Sequence, residues 1–529
     1  MLNLLALQYP QQIFSRRIQQ VEEYYYLDMA SVLVVAGEFC LVGALLLLLQ
    51  LIITSRNAAL SHIPGPFLAR YTDLWRFYHS WRLLNELQDF SGPLTREYGD
   101  VVRIGPNTVA VFDPAAIPTI YGTANRLEKG EGYLAFVLSL PTTSLLACLD
   151  EEKHSKYKRP VSHAYSLSAQ RAYEPNMDRV INQLIKVLTR IADSNETANI
   201  TTWCHYYAFD VVSELTFGEP LGLLETGKDL YGMVKLQKSF SYYAATMSQL
   251  PWLDRIFKRV TKLRGTDSGG FVDFVIGNVQ KRLQSMSKYR SEESKPDLLA
   301  HFASAQERYP DVMTPRHITS MCAGNLFAGS QSPSAVFDKI FNFLTSNPSA
   351  QETLHAELSK AQCKYPVSWQ QAQSLPYLDG LIREGYRLHN PSLFVLERMT
   401  PTAGLTLPSG HRIPTGTKIG MPSGAPGFRE SVYGSDVAEF KPERWLQRPG
   451  ESENAYSNRR KDMEQSDLTF GYGSRACIGR NIANMEIYKV VATMVGLFEF
   501  ELDGIPSFFQ VNVKLHKRQA GLANSSRKG

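Results

Sequence analysis

The segment "FGYGSRACIG", residues 470–479, sets a cysteine, Cys477, in a glycine-rich loop that runs into a long apolar helical pattern. A thiol at a helix N-terminus beside a cation is biased towards thiolate, the form that ligates metals and attacks electrophiles. Arg475, two residues earlier, is such a cation. Gly471, Gly473 and Gly479 permit tight turns and the close approach of a bulky group. A second segment, "LFAGSQSPSAVFDKIFNFL" (326–344), carries Val336, Phe337, Ile340, Phe341 and Leu344 on one helical face. Its first half packs Gly329, Ser330, Gln331, Ser332 and Pro333 into the same helix. Pro333 has no N–H for the carbonyl of Gly329, and the Ser332 hydroxyl can reach back to the carbonyl of Ala328. The expected result is a broken turn, with a groove where Gly329 brings no side chain.

Two further spacings bear on the same chemistry. In "DEEKHSKYKRP" (150–160), His154 and Lys158 lie four apart and share a helix face. Glu384 and Arg387 lie three apart, and "FKPERWL" (440–446) adds Arg444. Each feature alone has a plain reading. These are a buried cysteine, a packing kink, a solvated charged face and a surface ion pair.

Together they resemble one family. Phe470, Gly473, Arg475, Cys477 and Gly479 match every fixed position of the Phe-x-x-Gly-x-Arg-x-Cys-x-Gly haem signature of the cytochrome P450 family. The Glu-x-x-Arg pair and Pro-Glu-Arg-Trp follow that family's order and spacing. The resemblance, over residues 60 to 520, implies a haem b cofactor with Cys477 as the iron's axial thiolate. It implies that Phe470 packs beside the thiolate, and that Arg475, His154, Lys158 and Arg398 hold propionates. Glu384, Arg387 and Arg444 would brace the cysteine loop. Gly329, Gln331 and Ser332 align with the glycine, acid and threonine of the helix over the haem. Gln331 replaces the acid and Ser332 the threonine; Gln cannot ionise, though it can hold a water. "IPGP", "IYG" and "PERWL" look most like fungal microsomal members related to pisatin demethylase and benzoate hydroxylase.

These groups need a scaffold. The chain has 529 residues, 44% hydrophobic and 20% charged, with a net charge of +5. That balance is globular and too mild for a nucleic-acid binder. Six cysteines without a CxxC pair exclude a zinc ribbon or thioredoxin motif and fit a reducing compartment. Residues 100–113 read as a β-hairpin around Gly105-Pro106-Asn107, and 404–421 as short strands. Ser349 to Glu352 has capping-box spacing, and a helix is expected from Pro376 to just before Pro391. The fold expected is mainly α with a smaller β-rich part, the cytochrome P450 fold, preceded by one N-terminal transmembrane helix.

The domain reading is a tail (1–28), a transmembrane anchor (29–53), a proline-containing neck (54–66) and a catalytic domain (67–529). Residues 29–53 are almost wholly apolar, longer than the roughly 20 residues that a spanning helix needs. The expected location is the endoplasmic reticulum membrane, single-pass, with the catalytic domain in the cytosol.

The resemblance implies a monooxygenase that inserts one oxygen atom from dioxygen into an apolar or aromatic-containing small molecule, in fungal secondary-metabolite biosynthesis. Electrons would come from NADPH through a separate NADPH-cytochrome P450 reductase, with cytochrome b5 as a further partner. Basic Lys153, Lys156 and Arg159 would steer an acidic donor. Ser332 and Gln331, with a water, would assist proton delivery. Phe136, Leu326, Phe394 and Val395 would line the substrate. The alternative is an isomerase, dehydratase or oxidative cyclase on the same scaffold, prompted by Gln331 and Ser332.

Overall fold

The computed structural model describes residues 58–86, 91–137, 144–263, 269–288, 297–388, 395–504 and 511–518, with scattered positions between 38 and 49. The helices that build the site are α1 (Glu151–Lys158), α2 (Leu167–Ser194), α3 (Ile200–Phe217), α4 (Met233–Met247), α5 (Pro315–Ser346), α6 (Pro348–Lys360), α7 (Pro376–Leu388) and α8 (Arg480–Leu497). Their sequences explain their ends. Thr314 caps α5 by accepting the N–H of His317, and Pro315 sits in its first turn. Asn199 caps α3, which stops at Gly218 in the left-handed region. Helix α5 packs most extensively on α3, and α2, α3, α5 and α8 share the main apolar core.

The β-rich part is small. The strands are β1 (Val101–Gly105), β2 (Thr108–Val111), β3 (Ala198–Asn199), β4 (Arg398–Met399), β5 (Leu405–Thr406), β6 (Arg412–Ile413), β7 (Lys418–Gly420), β8 (Phe498–Leu502) and β9 (Asn512–Lys517). One sheet has the order β1-β2-β7-β4, a second β3-β9-β8, and β5 pairs with β6. The expected hairpin is β1–β2, with a bulge between Arg103 and Gly105. Leu60 and Ile63 are fully buried, and the Arg103 N–H donates to Pro64 O at 2.7 Å, so the proline segment packs on β1.

Three expectations change. The transmembrane anchor, the membrane location and the single-pass topology are withdrawn. Among the described residues no helix is long and apolar enough to cross a membrane. Residues 29–53 lie outside the described residues except for scattered helical positions such as Glu38, Leu41 and Leu45. The helix around Pro333 is also not broken: α5 runs unbroken from Pro315 to Ser346 with the proline inside it. Neighbouring hydroxyls carry the local back-bonding, Ser334 Oγ to Ser330 O at 2.7 Å and Ser330 Oγ to Leu326 O, rather than Ser332 to Ala328. Finally, α6 starts at Pro348 behind Asn347, so Ser349 lies inside the helix and is not its cap.

Candidate active site

Cys477 sits where the glycine-rich loop turns into α8. Its N–H donates to Phe470 O at 2.7 Å, which closes the loop on itself. Gly473, at φ +65°, must be glycine: a Cβ there would fall 2.1 Å from Tyr121 O. Burial holds the Cys477 thiol above its ordinary value, opposed by donation from the Gly479 and Arg480 N–H groups and by the nearby charges of Lys158 and Arg480. The sulfur opens onto a cavity of about 590 Å³. Phe470 also lines this cavity, stacked edge-on against Tyr386 of α7 at 5.3 Å.

Arg475 directs its hydrogen bonds to the start of α1. It donates to Glu151 and to the carbonyls of Cys148, Leu149 and Asp150, which engages four of its five N–H groups. It therefore clamps the start of α1 to the cysteine loop. Lys158 Nζ adds a second tie, donating to Ser474 O at 2.8 Å. His154, one turn before Lys158, is buried and lines the cavity, and its Nδ1 has no hydrogen-bond partner. Burial, then Arg475 and Lys129, push its pKa down to about 3, so the ring is neutral at ordinary pH.

Arg398 lies on β4, buried, with Nη1 donating to Glu397 O at 2.9 Å and the guanidinium 5.0 Å above the Tyr121 ring. Lys129, which the sequence reading missed, faces it across an isolated antiparallel bridge. Lys129 also lines the cavity. No short motif marks it; its importance comes from the chain folding back beside β4. Lys129, His154, Lys158, Arg398 and Arg475 thus gather around one wall, where Glu151 is already paired with Arg475. The wall is short of negative charge.

Helix α5 adds Gly329, Gln331, Ser332 and Pro333 to the lining. Gly329 is required by packing: a Cβ would meet Val212 Cγ2 of α3 at 2.6 Å. Gln237 of α4 ties the same turn, donating to Phe327 O at 3.0 Å and to Ser330 Oγ at 2.5 Å. Of the four expected substrate contacts, Phe136 lines the cavity. Leu326 and Val395 are buried in the core, and their chain neighbours Phe327 and Leu396 take the lining positions. Phe394 lies outside the described residues.

The acid of the Glu-x-x-Arg pair is fully buried. Glu384 accepts from Arg387 at 2.5 and 2.9 Å, from Arg444 at 3.2 Å and from Trp445 Nε1 at 2.9 Å. Arg387 donates onward to the carbonyls of Gly427, Val437 and Glu439. This network fixes the 427–446 segment to α7.

A cytochrome P450 family model matches residues 71–519. The chain belongs to the cytochrome P450 family. Similar P450s are fungal. Cytochrome P450 monooxygenase cicH of Emericella nidulans is 34% identical over 452 residues, 84% of this chain and 88% of that one. Monooxygenase asR2 of Sarocladium schorii is 34% identical over 467 residues, 84% of this chain and 88% of that one. A cytochrome P450 monooxygenase of Aspergillus terreus is 33% identical over 455 residues, 83% and 90% of the two chains. These relatives support a fungal P450 monooxygenase and do not single out the pisatin demethylase or benzoate hydroxylase branch. The chain is thus an oxidoreductase of the P450 monooxygenase family, which implies a haem-thiolate cofactor, NADPH-linked electrons, a reductase partner and a small-molecule substrate.

The residues fit that cofactor. A thiol opens onto the cavity, and a wall of cations without a spare acid suits two carboxylates. The unpartnered His154 Nδ1 adds a polar group where such an anion would lie.

Proposed function

We propose that this P450 inserts one oxygen atom from dioxygen into an apolar or aromatic-containing small molecule, in fungal secondary-metabolite biosynthesis. One arrangement carries the reading: Cys477 and the Gly329–Ser332 turn of α5 line the same cavity, beside the cation wall. Cys477 would supply the thiolate that holds the haem iron. Lys129, His154, Lys158, Arg398 and the remaining N–H of Arg475 would hold the propionates, while Arg475 also secures the loop between them. The bound haem supplies the dioxygen and electron chemistry.

The chain's own groups do the rest. The N–H groups of Gly479 and Arg480 stabilise negative charge on the Cys477 sulfur. Phe136, Phe240, Phe327, Leu145 and Leu396 give an apolar lining that orients a hydrophobic substrate and excludes water. Gln331 and the Ser332 hydroxyl hold a water and pass its protons inward. Lys153, Lys156 and Arg159 are exposed on and just beyond α1, near the cysteine loop that α1 clamps, and present positive charge to an acidic reductase.

Gln331 favours a second reading, an isomerase, dehydratase or oxidative cyclase with little oxygen insertion, because it cannot supply a proton itself. Two measurements decide. Reduced protein exposed to carbon monoxide should show the red-shifted Soret band of thiolate ligation and lose it in Cys477→Ala. With reductase and NADPH, product should carry one oxygen atom from labelled dioxygen. Turnover without either reductant or dioxygen establishes the second reading instead.

A further inference from the structure

The cavity extends past the Cys477 loop. Gln331, Ala335, Asp338 and Asn342 recur every three or four residues along α5 and all line it. One helix face therefore leads from the site into the junction of α3, α5 and α8. There Asp338 meets His205 of α3, with Nε2 3.6 Å from Oδ2 and side chains 13% and 12% exposed. Both line the cavity. Asp338 Oδ1 has no hydrogen-bond partner. Thr201 Oγ1 of α3 is within reach of the Asp338 carboxyl, but Glu486 Oε1 of α8, which lines the cavity too, has no partner. Glu486 is only 3% exposed. Buried polar atoms are ordinarily satisfied, by protein or by internal water. Two unsatisfied oxygens of cavity-lining acids, Asp338 Oδ1 and Glu486 Oε1, mark a place for ordered water.

We propose that Asp338 and His205 form a proton-holding pair that feeds the site, through water held at this junction, along the α5 face to Gln331 and Ser332. The inference rests on the monooxygenase reading, because reducing dioxygen consumes protons. Gln331 has none to give, and Asp338, two turns further on, is the next acid on that face. A proton leaves the pair at Asp338 Oδ1, passes from water to water, and is replaced from solvent. No electron moves in this step, and no bond to carbon changes.

The surrounding charges are consistent with a carboxyl that exchanges protons. Burial raises the Asp338 carboxyl, and His205 and Thr201 of α3 and Lys238 in α4 pull it back. Cys204 of α3 lies in the field of both Asp338 and Glu486. Burial pushes the Glu486 carboxyl well up and the neighbouring Lys339 amine down.

The test uses the full haem-loaded chain with Asp338→Asn and His205→Gln. Infrared pH titration should show a carboxylic acid band above the ordinary aspartate range. Asp338→Asn should remove it; His205→Gln should move it to higher pH, because the imidazole that favours the carboxylate is gone. The second readout is NADPH oxidation with P450 reductase and no added substrate. Two protons and two electrons take dioxygen to hydrogen peroxide, and four of each take it to water. A starved proton supply should therefore at least double the peroxide formed per NADPH in both variants, with the carbon monoxide spectrum unchanged. A wild-type peroxide yield in spectrally normal variants, or no band assignable to Asp338, overturns the proposal. If the wild-type protein takes up no haem or oxidises no NADPH, the monooxygenase reading fails and the delivery role falls with it. The infrared band then still reports whether the pair holds a proton.

Discussion

Lys129 and Arg398 stand opposite each other across an isolated antiparallel bridge, and both are buried. Like charges placed so destabilise a sheet. The nearest acid along β4, Glu397, is committed to Arg76 at 2.8 Å. Burial, Arg398 and Arg475 push the Lys129 amine well below its ordinary value. Its compensation is a carbonyl, Leu146 O at 2.7 Å, and the Tyr133 ring at 4.2 Å. The arrangement carries a cost in the protein alone and is relieved by an anion at the cavity wall.

Lys129→Met should therefore move two quantities in opposite directions. The haem-free protein should gain up to about 1 kcal/mol, the scale of a cross-strand charge pair. Haem should bind about tenfold more weakly, since a hydrogen bond to a charged group contributes roughly 1.5–3 kcal/mol. Thermal melts of haem-free protein and haem transfer to a competing haem-binding protein measure the two. A variant that loses both stability and haem affinity would show Lys129 to be only a packing element.

Gly329→Ala tests the approach of α3 to α5. The new methyl would lie 2.6 Å from Val212 Cγ2, so the helices must separate or Val212 must turn. The expected loss is about 1–3 kcal/mol. Val212→Ala in the same chain should restore most of it, read as a favourable coupling in a double-mutant cycle of chemical denaturation.

What could be read from the sequence follows the range of the interactions involved. The hairpin at 100–113 and the helix from Pro376 were legible because a turn dipeptide and a capping proline act within a few residues. The cysteine loop was legible because its glycines and arginine are consecutive. The direction of Arg475 was not, since Glu151 and the 148–150 carbonyls reach it from over 320 residues away in the chain. Lys129 and the Asp338–His205 pair were hidden for the same reason: burial by distant segments, not local pattern, makes them unusual. Leu326 and Val395 missed the cavity by one residue, and one residue turns a side chain by about 100° on a helix and to the opposite face of a strand.

The Glu384 network should prove structural. Glu384→Gln keeps the shape but takes from the buried Arg387 its carboxylate partner and leaves the buried Arg444 with Asp436 alone. Uncompensated buried charge costs about 3–5 kcal/mol. The expected outcome is a poorly folding protein with little haem uptake, seen as a large drop in the denaturation midpoint. A stable variant with normal haem content and altered product would place Glu384 in the chemistry instead.

His154 gives the pH dependence. Its folded pKa is about 3 against an ordinary value of 6.5, because burial, Arg475 and Lys129 disfavour the imidazolium. Between those values the unfolded chain takes up a proton that the folded protein refuses. The stability associated with His154 is therefore complete above pH 6.5 and falls as pH drops towards 3. The slope is at most about 1.4 kcal/mol per pH unit and is reduced by solvent screening. Denaturant titrations of haem-free protein across this range should show the decline, and His154→Gln should flatten it. Haem should flatten it too, since a carboxylate beside the ring favours the imidazolium and raises the folded pKa. If haem-loaded and haem-free protein lose stability along the same slope, no anion reaches His154 and its place in the propionate wall is lost.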